Sequence, residues 1–225
     1  MRRLALVVCL FCLLMTAAAD GAYAGSQTWT SALIGGRVNW ANTVLLPQYN
    51  GADPLTSIVV ELETSIDSEV GLENYAGGSS DLSVDLKVTT EVKKGATSLV
   101  SKDYQRAKDY GVKTAFDGNF DWGGTSGVKE LNYLQAATNT VSNSVAPADF
   151  AQYVGGGNVS FDVSSAVAHW NPTGSGGSMA AYWMADVPAR VKITYNYNTV
   201  PEPASLLALG CGMIGMIGLV TRRKK

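Results

Sequence analysis

The feature that most constrains the fold is a regular alternation of apolar and polar residues in the middle of the chain. The longest run covers residues 187–198, and the same pattern occurs at 58–66, 82–92 and 159–163. A period of two is typical of strands with one buried face and one solvated face. Strands of parallel sheets covered by helices would be continuously apolar instead. The sequence therefore predicts an all-β, antiparallel fold.

Weaker strand patterns fill most of the remaining middle part, separated by clusters rich in Gly and Pro. They lie at residues 27–34, 37–45, 97–104, 112–120, 129–134 and 139–145. One short helix is predicted at residues 147–153, because Pro147 suits a first helical turn and Gly155 follows as a stop. About nine strands and one crossover helix favour a two-sheet β-sandwich, with a closed barrel as the alternative.

The N-terminal 24 residues have the order of parts of a signal peptide. Arg2 and Arg3 precede an apolar run at residues 4–16, and Ala22 and Ala24 provide a small-x-small cleavage site. We therefore expect export through the Sec translocon and removal of residues 1–24 by signal peptidase.

The C-terminal 26 residues contain a second apolar segment. Residues 204–220 carry no charge and would span about 25 Å as a helix, which predicts a transmembrane helix. Arg222, Arg223, Lys224 and Lys225 follow directly and should act as a cytoplasmic stop-transfer signal. This orientation would place residues 25–199 outside the cytoplasm.

Pro201, Glu202 and Pro203 lie immediately before that apolar segment. A Pro-Glu-Pro motif, an apolar helix and an Arg-rich end, in this order, resemble the PEP-CTERM sorting signal of bacteria with exopolysaccharide-rich surfaces. The resemblance implies that an exosortase recognises the tripeptide. The protein would be anchored transiently in the inner membrane and then reach the cell surface or the extracellular space. A plain membrane anchor is the alternative.

Residues 25–199 form the predicted extracellular domain, and they contain no cysteine. Disulfides, thiolate metal sites and a cysteine nucleophile are therefore excluded there. Two of the 17 Lys and Arg precede this region and four follow it, which leaves 11; without Asp20 and Glu202, 17 of 19 acids remain. The resulting charge of −6 argues against nucleic acid as a partner. It suits a polyanionic matrix poorly and leaves open a neutral polysaccharide or bridging by divalent cations.

Several short motifs in this region resemble the choice-of-anchor E domain. They are Leu46-Pro47-Gln48-Tyr49-Asn50 before the strand at 55–62, Glu73-Asn74, Phe116-Asp117-Gly118 with Asp121 and Gly123, and Pro147-Ala148-Asp149-Phe150. The resemblance implies an extracellular β-rich domain without an established enzymatic activity.

Candidate sites in the domain are few. His169 is the only histidine and is expected as a half-exposed residue at a strand end. Asp117, Asn119 and Asp121 match the first half of a calcium loop, but Trp122 and Val128 stand where that loop needs Gly and Glu. We therefore expect no cofactor, with calcium as a minor alternative.

The aromatic residues leave two functions open. All five tryptophans lie in the predicted domain, where they would serve as core residues or as platforms for sugar rings. No nucleophile motif of the G-x-S-x-G type occurs, so a two-carboxylate hydrolase is the least favoured class. We expect a non-enzymatic structural or adhesive matrix protein, with a carbohydrate-binding module as the alternative.

Overall fold

A computed structural model describes residues 23–199, which contain nine strands and one short 3₁₀ helix. The strands are β1 (Tyr23–Thr30), β2 (Ile34–Arg37), β3 (Trp40–Pro47), β4 (Leu55–Asn74), β5 (Ser80–Lys94), β6 (Thr97–Lys113), β7 (Gly127–Ser144), β8 (Asn158–Gly174) and β9 (Met179–Thr199). The 3₁₀ helix covers Pro147–Tyr153, where the sequence predicts a short helix.

The nine strands form two separate sheets. One has the order β1-β9-β4-β7, with β2 also paired to β9, and the other has the order β3-β8-β5-β6. The pairs β2–β9, β3–β8, β4–β7, β5–β6 and β5–β8 are all antiparallel. The predicted all-β, antiparallel two-sheet fold is confirmed. The closed-barrel alternative is wrong, because the strands divide into two sheets instead of one continuous ring.

The core follows from the alternation seen in the sequence. Every second residue is buried from Ile58 to Val70 in β4 and from Ala185 to Tyr195 in β9, and the same holds for most of β5 and the first half of β8. Leu62, Leu86, Phe161 and Ile193 have no exposed surface. Burying a side chain of this size contributes about 1.5–3 kcal/mol. Packing of the two apolar faces therefore holds together a region that has no disulfide.

The chain divides into two compact units. The larger comprises Gln27–Asn50 and Ser57–Tyr195. Within the described residues, the smaller comprises residues 23–26, 51–56 and 196–199, where the backbone N–H of Asn198 donates to the carbonyl oxygen of Pro54 at 3.1 Å. The edge strands β6 and β7 and the candidate site described below lie in the larger unit.

Two strand predictions need correction. The pattern at residues 112–120 does not form a strand, since β6 ends at Lys113 and a loop follows up to Gly127. The predicted strands at 129–134 and 139–145 are one strand, β7, with a bulge opposite Ser68. There Asn132 has φ +57°, and the Ser68 hydroxyl accepts the N–H of Leu134 at 2.7 Å. The bulge turns Tyr133 into the core.

An ion network joins the edge strands β6 and β7. The Glu130 carboxylate accepts hydrogen bonds from Arg106 (2.9 Å), Lys108 (2.7 Å) and Tyr110 (2.6 Å). Arg106 also donates to the carbonyl oxygen of Tyr133 and lies over its ring. We call Arg106, Lys108, Tyr110 and Glu130 the edge network. Because β6 and β7 belong to different sheets, it fastens the two sheets together on one side.

Among residues 23–199, no helix has the length and apolar character needed to cross a membrane. The predicted transmembrane helix at 204–220 lies outside the described residues, as does nearly all of the predicted signal peptide. Of the predicted cleavage residues, Ala22 also lies outside, whereas Ala24 is exposed in β1. Both cleavage residues stay a prediction.

Candidate functional site

Five aromatic rings form a continuous row beside the loop that connects β6 to β7. Ring centroids are 4.7 Å apart for Tyr75–Phe116, 6.2 Å for Tyr75–Phe120, 4.7 Å for Phe120–Trp122 and 4.6 Å for Trp122–Tyr182. The last three pairs meet edge to face, an arrangement that aromatic quadrupoles favour. We call these five residues the aromatic face.

Part of the aromatic face is open to solvent. Tyr75 is 57% exposed and Phe120 is 52% exposed, although both are large apolar side chains. With Phe116 they line one wall of an open groove of about 650 Å³, and residues 177–180 line the other wall. Contiguous exposed apolar surface of this kind is typical of an interaction site.

Backbone hydrogen bonds connect the two walls and the loop. Tyr75 N–H donates to the Ser178 carbonyl oxygen (2.9 Å), and Phe116 N–H donates to the Ala76 carbonyl oxygen (3.0 Å). Asn74 is fully buried, and its side-chain amide donates to the carbonyl oxygens of Gly78 (2.8 Å) and Thr114 (2.6 Å). These hydrogen bonds therefore fix the segment around Tyr75, the start of the loop and residue 178 to one another.

Trp122 adopts a backbone conformation that bulky residues rarely occupy. Its φ is +58°, in the left-handed region. The loop is bent on both sides of it by side-chain turns: Asp117 Oδ1 accepts the N–H of Asn119, and Asp121 Oδ1 accepts the N–H of Gly123, both at 2.9 Å. Backbone strain of about 1–3 kcal/mol tends to persist where function requires a fixed geometry.

Tyr182 supports the inner end of the row. Its hydroxyl donates a hydrogen bond to Glu69, whose carboxylate also pairs with Lys129 at 3.0 Å. The hydrogen bond from Tyr182 and that from Lys129 hold the pKa of Glu69 below its usual value. The Tyr182 ring lies over Gly71, where a side chain would collide with it. Glu69, Lys129 and Gly71 thus define where Tyr182 sits.

Beneath the loop, Glu73 is completely buried. Its Oε1 accepts a hydrogen bond from the Ser126 hydroxyl at 2.6 Å, whereas Oε2 has no hydrogen-bond partner among the described residues. Most acids of β4 behave differently. Glu61 and Glu63 lie on the solvated face and pair with Lys192 (2.7 Å) and Arg190 (3.4 Å).

The three calcium candidates lie in the loop beside the aromatic face, and all three are exposed. Asp117 and Asp121 turn one carboxylate oxygen each towards the backbone, and Asn119 supplies one of the N–H donors. Across residues 23–199, no three His, Cys, Asp or Glu side chains are grouped so as to hold a metal ion. The structure brings Asp117 and Asp121 into one loop, where they act as turn residues.

His169 does not lie at a strand end, since β8 continues past it to Gly174. It faces Asp85 with Nε2–Oδ2 at 3.4 Å, and about half of its side chain is exposed. β8 can include Pro172 because no β3 residue pairs with β8 beyond Ser165, so the missing N–H of proline breaks no pairing with β3. Beyond that point β8 is an edge strand, which tolerates proline.

The other tryptophans do not join the aromatic face. Trp40 is partly buried and its indole N–H donates to the Val187 carbonyl oxygen at 3.1 Å. Trp170 and Trp183 are paired with ring centroids 6.3 Å apart, and Trp29 is 38% exposed in β1. The sequence did not reveal Tyr75 as a partner of Phe116 and Phe120, nor Tyr182 as a partner of Trp122. The available signal was three aromatic residues, Phe116, Phe120 and Trp122, inside a segment rich in Gly and Asp.

Comparison with protein families identifies the C-terminal segment. The PEP-CTERM protein-sorting motif matches residues 199–224, which include Pro201, Glu202 and Pro203 and the cations Arg222, Arg223 and Lys224. The motif indicates an exported protein that is anchored transiently in a membrane and has an exosortase as its processing partner. Residues 200–225 themselves lie outside the described part of the chain.

No curated protein matched the sequence. Among solved structures, the chain is similar to the VP2 subviral particle of infectious bursal disease virus, with 13% identity over 92% of this chain and 50% of that chain at a TM-score of 0.24. It is also similar to dimeric latent PorU from Porphyromonas gingivalis, with 11% identity over 81% of this chain and 14% of that chain at a TM-score of 0.25. At these TM-scores the likenesses support no inference.

Proposed function

We propose that this protein is a non-enzymatic component of the cell surface or extracellular matrix, with a structural or adhesive role in an exopolysaccharide-rich biofilm. The observation that carries the proposal is the PEP-CTERM motif at residues 199–224, which indicates export and sorting by exosortase. Residues 25–199 would then be the part that is displayed.

The processing steps complete the proposal. The predicted signal peptide would bring the chain to the Sec translocon and signal peptidase, and the cations at residues 222–225 would keep the C-terminus cytoplasmic. Exosortase would then act at the Pro-Glu-Pro motif and transfer the all-β region to the surface. Nucleic acid is not proposed as a partner, because the acidic balance of residues 25–199 opposes it.

We also propose that the displayed region is a choice-of-anchor E domain. In support, its motif residues have structural roles. Gln48 donates to the Gln152 carbonyl oxygen (3.2 Å) and accepts the N–H of Gly157 (3.2 Å), which ties the C-terminal end of the 3₁₀ helix to the glycine-rich turn that follows it. Tyr49 is buried, and its ring lies 5.7 Å from that of Tyr195.

A second candidate function is carbohydrate binding, and the aromatic face specifically favours it. Rings that are half exposed and held in a row offer flat apolar surface to the C–H faces of sugars, while the groove beside them carries backbone polar groups. Calcium assistance through Asp117, Asn119 and Asp121 belongs to this candidate and is tested by adding a chelator.

The processing proposal is tested with Glu202→Ala in the full chain, expressed in an exosortase-containing host. We expect the variant to be exported but to remain in the inner membrane with Lys225 attached, whereas the parent chain is trimmed. The intact mass of the protein recovered from the membrane and surface fractions shows whether each chain is trimmed and where it is found. Asp81→Ala, which removes an exposed acid of β5, is the matched control and should be processed normally. Trimming of Glu202→Ala at the parental level would contradict the proposal and favour a plain membrane anchor.

A further inference from the structure

We propose that the groove beside the aromatic face binds a neutral polysaccharide. Sugar rings would lie against Tyr75 and Phe120, and their hydroxyl groups would meet the opposite wall. This inference rests on the surface function proposed above, and it names the ligand class and the residues that contact it.

The lining of the groove combines apolar rings with polar groups, and this combination favours an amphipathic ligand. The rings of Tyr75, Phe116 and Phe120 line one side, and residues 177–180 line the other, where Ser178 lies beside the apolar Met179 and Ala180. A pyranose ring has the same two-sided character, because C–H groups cover its faces and hydroxyls surround its edge. A purely apolar ligand would cover the Ser178 hydroxyl without offering it a hydrogen bond in place of water.

The charge around the groove favours a neutral ligand. None of the residues that line it is a Lys or Arg. The loop beside it carries Asp117 and Asp121, both exposed, and Lys129, which supports Tyr182 through Glu69, is already paired with Glu69 at 3.0 Å. A uronic acid or a phosphate group entering the groove would find no cation among the lining residues and two carboxylates in the adjoining loop, which disfavours an anionic ligand. Hydroxyl groups, by contrast, can donate to those carboxylates.

The aromatic face is also fixed before a ligand arrives. Trp122 holds its left-handed conformation between Phe120 and Tyr182, and Tyr182 is held by Glu69. Rings that are already ordered lose little conformational freedom on binding, so more of the contact energy is retained as affinity. A supported, strained Trp behind an exposed Phe is the geometry expected for a preformed platform.

The test uses the full chain in mild detergent and a panel of neutral polysaccharides (a glucan, a galactan and a mannan) beside the anionic polymers alginate and polygalacturonate. Binding is followed by retardation in affinity gels and by tryptophan fluorescence. We expect at least one neutral polymer to bind and neither anionic polymer to do so at equal or higher affinity. Phe120→Ala and Tyr75→Ala should each weaken binding about tenfold, which corresponds to about 1.4 kcal/mol.

Leu45→Ala is the matched control, because Leu45 is a large apolar residue that is 60% exposed on β3, away from the groove. It should bind like the parent chain. The inference is overturned if no neutral polymer binds, if an anionic polymer binds more tightly, or if Phe120→Ala binds like the parent. A chelator should leave binding unchanged, and loss of binding would point to calcium instead. The outcome for Glu202→Ala is independent, so failure here leaves the surface assignment standing.

Discussion

The ring of Tyr182 in β9 lies directly across the backbone of Gly71 in β4. A β-carbon added at residue 71 would meet ring atoms Cε1 and Cδ1, so the two strands place an aromatic ring where a neighbouring side chain would normally stand. Gly71 is buried although it lies on the outer face of β4, because Tyr182 covers it. Together with the hydrogen bond to Glu69, this relationship positions Tyr182 and, through the edge-to-face contact at 4.6 Å, Trp122.

The first prediction follows from that contact. Gly71→Ala should displace the Tyr182 ring and lower the free energy of unfolding by about 1–3 kcal/mol, as overpacked sites usually do. It should also change the near-ultraviolet circular dichroism, since the environment of Trp122 changes. Urea denaturation and the spectrum measure the two effects.

The control for this substitution is Gly77→Ala. A β-carbon at residue 77 meets no atom within 4 Å, so the variant should keep both the stability and the spectrum of the parent chain. If the two variants had the same free energy of unfolding and the same spectrum, the contact between Gly71 and the Tyr182 ring would not determine the position of Trp122.

The second prediction concerns the edge network. Glu130→Gln removes the charge that Arg106 and Lys108 share, and it leaves partly buried cations without their partner. We expect a loss of about 1–3 kcal/mol in the free energy of unfolding, measured by urea denaturation. Glu91→Gln is the comparison, because Glu91 pairs with a single cation, the exposed Lys93 at 2.7 Å, beside a hydrogen bond from Ser98. This substitution should cost less than about 1 kcal/mol. A larger effect at Glu91 would argue against the edge network as a fastening between sheets.

The third prediction is a pH dependence of stability. Burial acts to raise the pKa of Glu130, but hydrogen bonds from Lys108 and Tyr110 and the charge of Arg106 outweigh it and hold the pKa below its usual value. A depressed folded-state pKa means that the contribution is complete above the unfolded value of about 4.3 and is lost as pH falls through the folded value. The free energy of unfolding should therefore drop between about pH 5 and pH 2, and less steeply in Glu130→Gln. Parallel pH profiles for the two proteins would contradict this assignment.

Much of the fold could be predicted because strand alternation is a local signal. Buried positions in β4, β5 and β9 follow directly from the apolar residues at every second place, and the short helix after β7 follows from Pro147. The end of β4 breaks the rule, since Gly71 and Glu73 on its outer face are buried too. What covers them comes from β9 and from the turn at Ser126, which are distant in sequence. Periodicity contains no information about such contacts.

The candidate site was missed for the same reason. Val112 and the residues after it alternate like a strand, yet left-handed glycines at 111 and 118 and the turns formed by Asp117 and Asp121 bend this segment into a loop. Its rings form a continuous row only together with Tyr75 and Tyr182, which lie some 40 and 60 residues away in the chain. A glycine inside a strand pattern, such as Gly71, was the one local hint that another group approaches closely.

The position of Pro172 has a consequence for how the edge of β8 can meet another chain. Past Ser165, β8 has no neighbour on its β3 side among the described strands, so it could in principle recruit the backbone of an adjacent molecule. A residue without an N–H interrupts the row of donors that such recruitment needs. Pro172 therefore makes this edge of β8 a poorer site for the addition of a strand from another chain.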